Sequence, residues 1–239
     1  MGKHRAPLEG YEISAGALNK IPEILKDYNK IYVVADENTY RAAGKQVEEI
    51  LKACGKHHRT LVLDGEVVLP NVETLGKIVL FANDPGAKPN FFAYSELPDF
   101  ILAVGSGTVN DSCRLASYRL NLPYGIVGTA PSMDGYASAT SSMSMDGLKV
   151  SLPSKCANVI IGDIDVLKNA PMNMLQAGLG DMLAKYVSIC EWRLGHLING
   201  EYYCEDVAEY TRRSLRACVQ TAPKLLDKSE EAMSALFTG

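Results

Sequence analysis

The segment Phe100–Asp111, FILAVGSGTVND, constrains the fold of this chain more than any other. It starts with the continuous apolar run Phe100–Val104, a pattern typical of a parallel strand that is covered on both faces. Gly105 and Gly107 then permit a sharp turn, and helical spacing continues over Val109–Leu120. A helix that begins here points its free N–H groups into the turn. Such groups favour an anion, for example the pyrophosphate of a dinucleotide.

The glycine turn alone does not establish a nucleotide site. Ser112 and Cys113 follow Asp111, so the pattern differs from G-x-G-x-x-G. Many strand–glycine–helix units are only tight connections. The rest of the chain therefore has to decide between a phosphate-binding turn and a structural one.

Composition excludes several classes of protein. The chain has 239 residues, of which 47% are hydrophobic and 22% are charged, as expected for one large or two ordinary globular domains. Its net charge of −4 gives no indication of a nucleic-acid partner or of an anionic membrane surface.

No apolar run approaches the length of a membrane span, and the first ten residues lack the apolar core of a signal peptide. The six scattered cysteines, without C-x-x-C, favour reduced thiols. We therefore expect a cytoplasmic protein.

Strand and helix patterns alternate through the first two thirds of the chain. Strands are predicted at residues 31–35, 60–63, 100–104, 124–127 and 159–161. Helices are predicted within 11–28 and 38–55 and over 71–81 and 109–120, and a Pro- and Gly-rich loop over 83–90. This alternation predicts an α/β fold with a Rossmann-like parallel sheet and helices on both faces.

The pattern changes near Ala170–Pro171, where strand signatures stop. Residues 172–194, 203–226 and 230–237 all have helical spacing. We therefore predict two domains, an α/β domain over 1–170 and the start of an all-helical domain over 171–239.

Ligands of such sheets bind outside the carboxyl ends of the strands. Asp36, the 105–111 turn and the residues after Val127 should gather at that edge. A carboxylate in the position of Asp36 can hold the hydroxyl pair of a ribose and repel a 2′-phosphate. It can equally be a simple helix cap, and the sequence leaves both interpretations open.

Residues 129–138 (TAPSMDGYAS) follow a predicted strand and are dense in hydroxyl groups. Thr129, Ser132 and Ser138 can donate to phosphate or amide groups, and Asp134 can accept from a substrate hydroxyl. The alternative is an ordinary surface loop rich in Ser and Gly.

The segment GLGDMLAKY at 178–186 is unusual for a helix, because Gly178 and Gly180 each cost about 1 kcal/mol relative to alanine. We expect another part of the molecule to approach this surface closely. Asp181 lies among apolar neighbours and needs a cation or hydrogen-bond donors. An ion pair with Lys185 at i+4, the capping of a helix that begins at Asp181, or a bound metal would each satisfy the Asp181 carboxylate. His196 would lie roughly 22 Å further along the same helix, too far to share a metal with Asp181.

Three motifs together are similar to the sn-glycerol-1-phosphate dehydrogenases of the wider glycerol dehydrogenase and dehydroquinate synthase-like group. They are GSGTVND at 105–111, GTAPSMDGYAS at 128–138, and GDIDVLKNAP with GLGDMLAKY within 162–186. The resemblance covers most of the chain, from the strand that ends at Asp36 to the C-terminus. It implies a metal-dependent oxidoreductase that interconverts dihydroxyacetone phosphate and sn-glycerol 1-phosphate with NAD or NADP, in phospholipid biosynthesis.

The resemblance also implies roles for single residues. The candidate cofactor-binding residues are Asp36, Gly105, Gly107, Thr108, Val109, Asn110, Asp111, Thr129, Ser132 and Ser138. Asp134 would contact the glycerol moiety of the substrate. Asp181 would bind the metal, Zn²⁺ or in some bacterial members Ni²⁺, and also contact the substrate. Asp134 and Asp181 are therefore the candidate catalytic residues.

The chain departs from this family in one respect. The resemblance implies two further histidine ligands downstream of Asp181, and the sequence ends at Gly239 without a match to them. We therefore expect a chain truncated at its C-terminus. A glycerol or polyol dehydrogenase for unphosphorylated substrates and a non-catalytic nucleotide-binding fragment are the alternatives. The phosphate-binding residues, for which Lys149 and Lys185 are candidates by charge, and association into a homo-oligomer are left open.

Overall fold

The computed structural model describes residues 8–65, 67–83 and 97–239. The loop predicted at Asn83–Asn90 lies outside this range from residue 84 onward. Within the described range the chain forms two compact units. Unit 1 consists of the chain up to Thr129 together with Gly135–Val166, and unit 2 consists of Ala130–Asp134 together with Leu167–Gly239.

Unit 1 is an α/β structure. Its strands are β1 (Gly10–Ser14), β2 (Lys30–Asp36), β3 (His57–Leu63), β4 (Phe100–Gly105), β5 (Tyr124–Gly128), β6 (Thr140–Met145), β7 (Leu148–Pro153) and β8 (Val159–Asp163). Its helices are α1 (Ile21–Ile24), α2 (Glu37–Thr39), α3 (Lys45–Ala53), α4 (Val72–Asn83) and α5 (Gly107–Leu120), with a π-helical turn at Tyr40–Gly44 between α2 and α3. The short helix α6 (Ile164–Leu167) follows β8.

The described residues form one six-stranded sheet with the order β1-β8-β5-β4-β2-β3, and every pairing in it is parallel. The predicted α/β class with a parallel sheet is therefore confirmed. All six residues of β4 are buried, as the continuous apolar run predicts.

Helices cover both faces of this sheet. Ile31, Val33 and Ala35 of β2 belong to a core that also contains Val47 and Leu51 of α3. The alternate residue Tyr32 points to the opposite face. There its ring stacks on Phe81 of α4 at 5.7 Å between centroids, and its hydroxyl donates to the carbonyl of Ile78. The alternation of side chains along a strand therefore places α3 and α4 on opposite faces.

Two parts of unit 1 differ from the sequence-based expectation. The polar opening at residue 11 is strand β1, which pairs with β8 at the edge of the sheet, and helix α1 ends at Ile24 rather than near Tyr28. Strands β6 and β7 form an antiparallel hairpin that was not predicted. Four of the six residues of β6 are Ser or Thr, and the alternation of Leu and Val in β7 is confined to one short strand.

Unit 2 is helical. It contains α7 (Met172–Asn199), α8 (Glu205–Thr221), a 3₁₀ turn at Ala222–Leu225 and α9 (Glu230–Thr238), so helices were correctly predicted in all three segments. Helix α7 ends at Gly200, whose φ of 71° is readily adopted by glycine. Among the described helices, none combines the length and the apolar character that a membrane crossing requires.

The carboxylate of Asp163, at the end of β8, ties three parts of unit 1 together. It is 2% exposed and accepts hydrogen bonds from the backbone N–H groups of Gly16 (3.1 Å), Leu18 (2.9 Å) and Asp165 (3.0 Å). The turn after β1 and the start of α6 therefore depend on one buried side chain.

We predict that Asp163→Ala lowers the free energy of unfolding by about 3 kcal/mol, because buried N–H groups lose a charged acceptor. Urea denaturation measures this loss. Asp27→Ala, at an exposed aspartate, is the control and should change stability by less than about 0.5 kcal/mol. Equal stability of the two variants would contradict the role assigned to Asp163.

Candidate functional site

The glycine turn connects β4 directly to α5. Gly105 is required by packing, because a Cβ at this position would lie 2.7 Å from the Cβ of Val109. Ser106 takes an extended conformation, and the first helical bond runs from the N–H of Asn110 to the carbonyl of Ser106. The side chain of Ser106 makes no capping hydrogen bond to this helix start. The N–H groups of Gly107 and its next two neighbours are therefore oriented for an anion.

The order of the strands places this turn at a switch point of the sheet. From β2 the chain crosses through α3 to β3 on one side, whereas from β4 it crosses through α5 to β5 on the other side. In open parallel sheets a crevice forms outside the carboxyl ends of two such neighbouring strands, and ligands bind there. Val34 of β2 pairs with Ala103 of β4. The same register, extended by two residues, sets Asp36 opposite Gly105.

Asp36 caps the helix that follows β2. Its Oδ1 accepts from the N–H groups of Asn38 (2.9 Å) and Thr39 (2.8 Å), and its own N–H donates to the hydroxyl of Thr39 (3.0 Å). Only Oδ1 takes part in these bonds. The capping interpretation is therefore present in the structure, and Oδ2 can still accept a hydrogen bond from a ribose hydroxyl.

The residues after β5 reach the same edge of unit 1. The N–H of Thr129 donates to the carbonyl of Gly105 at 3.0 Å, which joins the ends of two neighbouring strands. The Ser138 hydroxyl is bonded locally to Thr140, through the Thr140 N–H (3.0 Å) and carbonyl (3.1 Å). Asp36, residues 105–111, Thr129 and Ser138 are called the strand-edge group below.

Asn110 and Asp111 are committed to internal contacts. The Nδ2 of Asn110 donates to the carbonyl of Gly135 at 3.4 Å. Asp111 pairs with Arg114 at 2.5 Å and accepts from the N–H of Ser142 at 3.1 Å. Burial raises the pKa of the Asp111 carboxyl above its ordinary value, and the Arg114 guanidinium opposes that shift. The Asp111 side chain thereby holds the fold around the turn, whereas Oδ1 of Asn110 is buried and has no hydrogen-bond partner among the described residues.

In unit 2, the other candidate residues meet on one face of α7. The Oδ2 of Asp181 accepts from the N–H of Asp134 at 2.9 Å. The Lys185 ammonium group pairs with Oδ2 of Asp134 and lies 3.9 Å from Oδ1 of Asp181. All three side chains are partly exposed, at 25 to 36%. Asp134, Asp181 and Lys185 are called the helix-face group below.

The expected close approach to α7 occurs at Gly178 and not at Gly180. A Cβ on Gly178 would lie 1.9 Å from the carbonyl oxygen of Pro131, whereas one on Gly180 would meet nothing within 4 Å. Segment 130–134, which includes Ser132, therefore packs directly on the backbone of α7. Gly178, Asp181 and Lys185 are spaced as i, i+3 and i+7, so one helix face supports this segment.

The described residues do not complete a metal site. Within residues 8–65, 67–83 and 97–239, no three side chains of His, Cys, Asp or Glu are grouped as metal ligands. Asp181 and His196 lie on the same helix, 15 positions apart, and His196 Nδ1 contacts the carbonyl of Glu201 at 2.7 Å. A tetrahedral Zn²⁺ site takes four ligands, at least three of them from protein. Asp181 alone is a single candidate ligand.

Comparison with known proteins is consistent with these features. A family described as iron-containing alcohol dehydrogenase matches residues 12–171. The chain is 31% identical to the glycerol-1-phosphate dehydrogenase [NAD(P)+] of Halalkalibacterium halodurans over 96% of this chain and 56% of that protein. It is 33% identical to the protein of the same name from Bacillus velezensis, over 99% and 59%. The chain therefore spans less than two thirds of the length of these relatives.

Solved structures share the fold at low identity. A glycerol dehydrogenase of Schizosaccharomyces pombe matches with a TM-score of 0.70 at 22% identity, over 96% of this chain and 60% of that one. An iron-containing alcohol dehydrogenase of Thermotoga maritima matches with a TM-score of 0.75 at 14% identity, over 99% and 66%. At these identities the comparison establishes the fold alone.

The contrast between the two glycines on α7 gives a matched prediction. We expect Gly178→Ala to destabilise unit 2 by about 2 kcal/mol, because the methyl group collides with the backbone at Pro131. Gly180→Ala should instead stabilise it by about 1 kcal/mol, through helix propensity alone. Urea denaturation followed by circular dichroism measures both. A stabilising Gly178→Ala would show that segment 130–134 does not rest on this helix.

Proposed function

The chain belongs to the iron-containing alcohol dehydrogenase family, and we propose that it binds NAD(P) and serves the interconversion of dihydroxyacetone phosphate and sn-glycerol 1-phosphate. The observation that carries this proposal is the β4–α5 turn. Its helix start receives no capping hydrogen bond from Ser106 and lies at the switch point of a parallel sheet. The substrate is proposed from the two curated relatives above, which share the printed name glycerol-1-phosphate dehydrogenase.

Residues of the strand-edge group would bind successive parts of the cofactor at the ends of neighbouring strands. The first-turn N–H groups of α5 would bind the pyrophosphate, and Oδ2 of Asp36 would accept from the adenosine ribose. The carboxylate of Asp36 would also repel the 2′-phosphate of NADP, which favours NAD. Thr129 and Ser138 follow β5 and would lie along the remaining half of the cofactor.

The helix-face group suits the hydroxyl end of a substrate better than its phosphate. Two carboxylates and one ammonium group leave a formal charge of −1, which repels a phosphate and accepts hydrogen bonds from hydroxyl groups. Lys185 is engaged by Asp134 and Asp181, which argues against its use as the phosphate ligand. We propose that Asp134 contacts the glycerol moiety and that Lys185 holds its carboxylate in place.

Bound nicotinamide would supply the hydride that, with a proton, reduces the carbonyl of dihydroxyacetone phosphate. The protein groups described above would bind and orient the two reactants. The metal inferred from the resemblance, Zn²⁺ or Ni²⁺, would have Asp181 as a ligand, but the described residues do not complete its site. A cytoplasmic location is part of this proposal.

Asp36 provides a test of the cofactor assignment. Asp36→Asn keeps an oxygen that can cap the helix and removes the negative charge. We expect the ratio of the dissociation constant for NADPH to that for NADH to be about tenfold lower in this variant than in the unchanged chain. The reason is that the carboxylate no longer repels the 2′-phosphate. Titrations followed by nicotinamide fluorescence give both dissociation constants.

Glu37→Gln is the matched control for that variant. It removes the same charge one position further along, at an exposed side chain, and should leave the ratio of the two dissociation constants unchanged. An unaltered ratio in Asp36→Asn would remove Asp36 from the cofactor site. A folded chain that binds neither nucleotide would refute the cofactor assignment altogether.

The substrate is tested by comparing a phosphorylated ketone with its unphosphorylated counterpart. We expect dihydroxyacetone phosphate to bind the chain saturated with NAD⁺ at least about tenfold more tightly than dihydroxyacetone does. Calorimetric titration of each ketone gives both dissociation constants. The reverse preference would favour a glycerol or polyol dehydrogenase. Equal affinity for the two ketones would contradict the proposed substrate.

A further inference from the structure

Arg114, on the second turn of α5, is completely buried. A guanidinium group has five N–H donors, and in Arg114 each of them has an acceptor within unit 1. The acceptors are the hydroxyl of Tyr124 (2.7 Å), the carboxylate of Asp111 (2.5 Å) and the carbonyls of Gly135, Tyr136 (3.2 Å) and Thr140 (2.8 Å). A buried cation with a complete set of acceptors fixes the position of every group that it contacts.

Three of these acceptors are backbone carbonyls of one segment, residues 135–140, here called the 135–140 loop. Asn110, one turn before Arg114, donates to the same Gly135 carbonyl. The first half of α5 therefore holds this loop from two successive turns. The loop contains Ser138 and leads directly into β6.

The charge of Arg114 is balanced inside the same cluster. Asp111, three residues earlier on α5, contacts Nη1 through one oxygen, and its other oxygen accepts from the N–H of Ser142 in β6. A lysine at position 114 would keep the charge but would present only three donors from a single nitrogen. It could not reproduce the planar fork that meets acceptors on both sides of the helix.

The strand order gives this cluster a place along the proposed cofactor. Strands β2, β4 and β5 are neighbours, and their carboxyl ends carry Asp36, the glycine turn and Thr129 in that order. With the ribose of adenosine at β2 and the pyrophosphate at β4, the nicotinamide half would extend past β5. The 135–140 loop follows β5 in the chain, is held against α5, and lies beside the glycine turn, where the Tyr136 hydroxyl contacts Oγ of Ser106 at 3.4 Å.

We propose that Arg114 is a positioning residue for the nicotinamide half of the cofactor, through the carbonyls of the 135–140 loop. This inference rests on the proposed NAD(P) function. It predicts a specific pattern: loss of Arg114 weakens the binding of the whole dinucleotide more than the binding of its adenosine-diphosphate half. A residue that merely supports the fold would weaken both ligands alike or neither.

The test compares NADH with ADP on Arg114→Lys, with circular dichroism as the folding check. We expect the dissociation constant of NADH to rise about tenfold and that of ADP to change less than about twofold. Arg119→Lys, an exposed arginine on the same helix, should leave both values unchanged. Hydrogen exchange of the backbone amides at 136–142 should be faster in Arg114→Lys and unaltered in strand β4.

Other outcomes overturn the inference. Unchanged NADH affinity in folded Arg114→Lys, or an equal loss for NADH and ADP, refutes it while the proposed function stands. A folded unchanged chain that fails to bind NADH refutes the proposed function and this inference together. If Arg114→Lys does not fold, Asp111→Asn replaces it, because this change removes the counter-charge of Arg114 and keeps an oxygen acceptor. The same split between NADH and ADP is expected there, and its absence overturns the inference.

Discussion

The opposite directions of two crossover connections determine where unit 1 can bind a ligand. Because the chain leaves β2 toward β3 and leaves β4 toward β5, α3 and α5 diverge from neighbouring strand ends. The crevice expected between them would form a space beside Asp36 and the glycine turn. The absence of a side chain on Gly105 lets α5 start against the end of β4, so its N-terminal amides face that space. The topology therefore favours the proposed binding of an anion there, before any particular side chain is considered.

Two polar clusters keep the surrounding segments in place, one in each unit. In unit 1 the buried Arg114 donates to the carbonyls of Gly135 and Tyr136. In unit 2 the face of α7 that carries Asp181 and Lys185 binds the segment that ends at Asp134. Each cluster holds a connecting segment, and each does so through charged groups that accept or donate several hydrogen bonds. Side chains on rigid helices thereby define the conformation of the residues with the proposed functions.

The sequence predicted the parts of this fold that depend on local pattern. The buried strand at Phe100, the glycine turn and the long helix of unit 2 follow from apolar periodicity and from glycine placement. The order of the strands could not be predicted in this way, since it depends on long-range pairing. The hairpin β6–β7 was missed because β6 is rich in Ser and Thr, which are also typical of loops, and the apolar alternation of β7 spans only five residues. Only the structure shows that Gly178 meets Pro131 whereas Gly180 meets nothing. Likewise, Arg114 has the sequence context of an ordinary helix residue, and four of its five acceptors lie 10 to 26 positions away in the sequence.

The most direct measurement is a map of backbone amide chemical shifts during titration with NADH. The account predicts saturable shifts at residues 36–39, 105–110 and 128–129, which surround the switch point, and small changes in β1 and at the far end of β4. Saturable shifts confined to other parts of the sheet would contradict the proposed site. A folded chain whose amides do not respond to NADH would contradict the assignment of a cofactor-binding function.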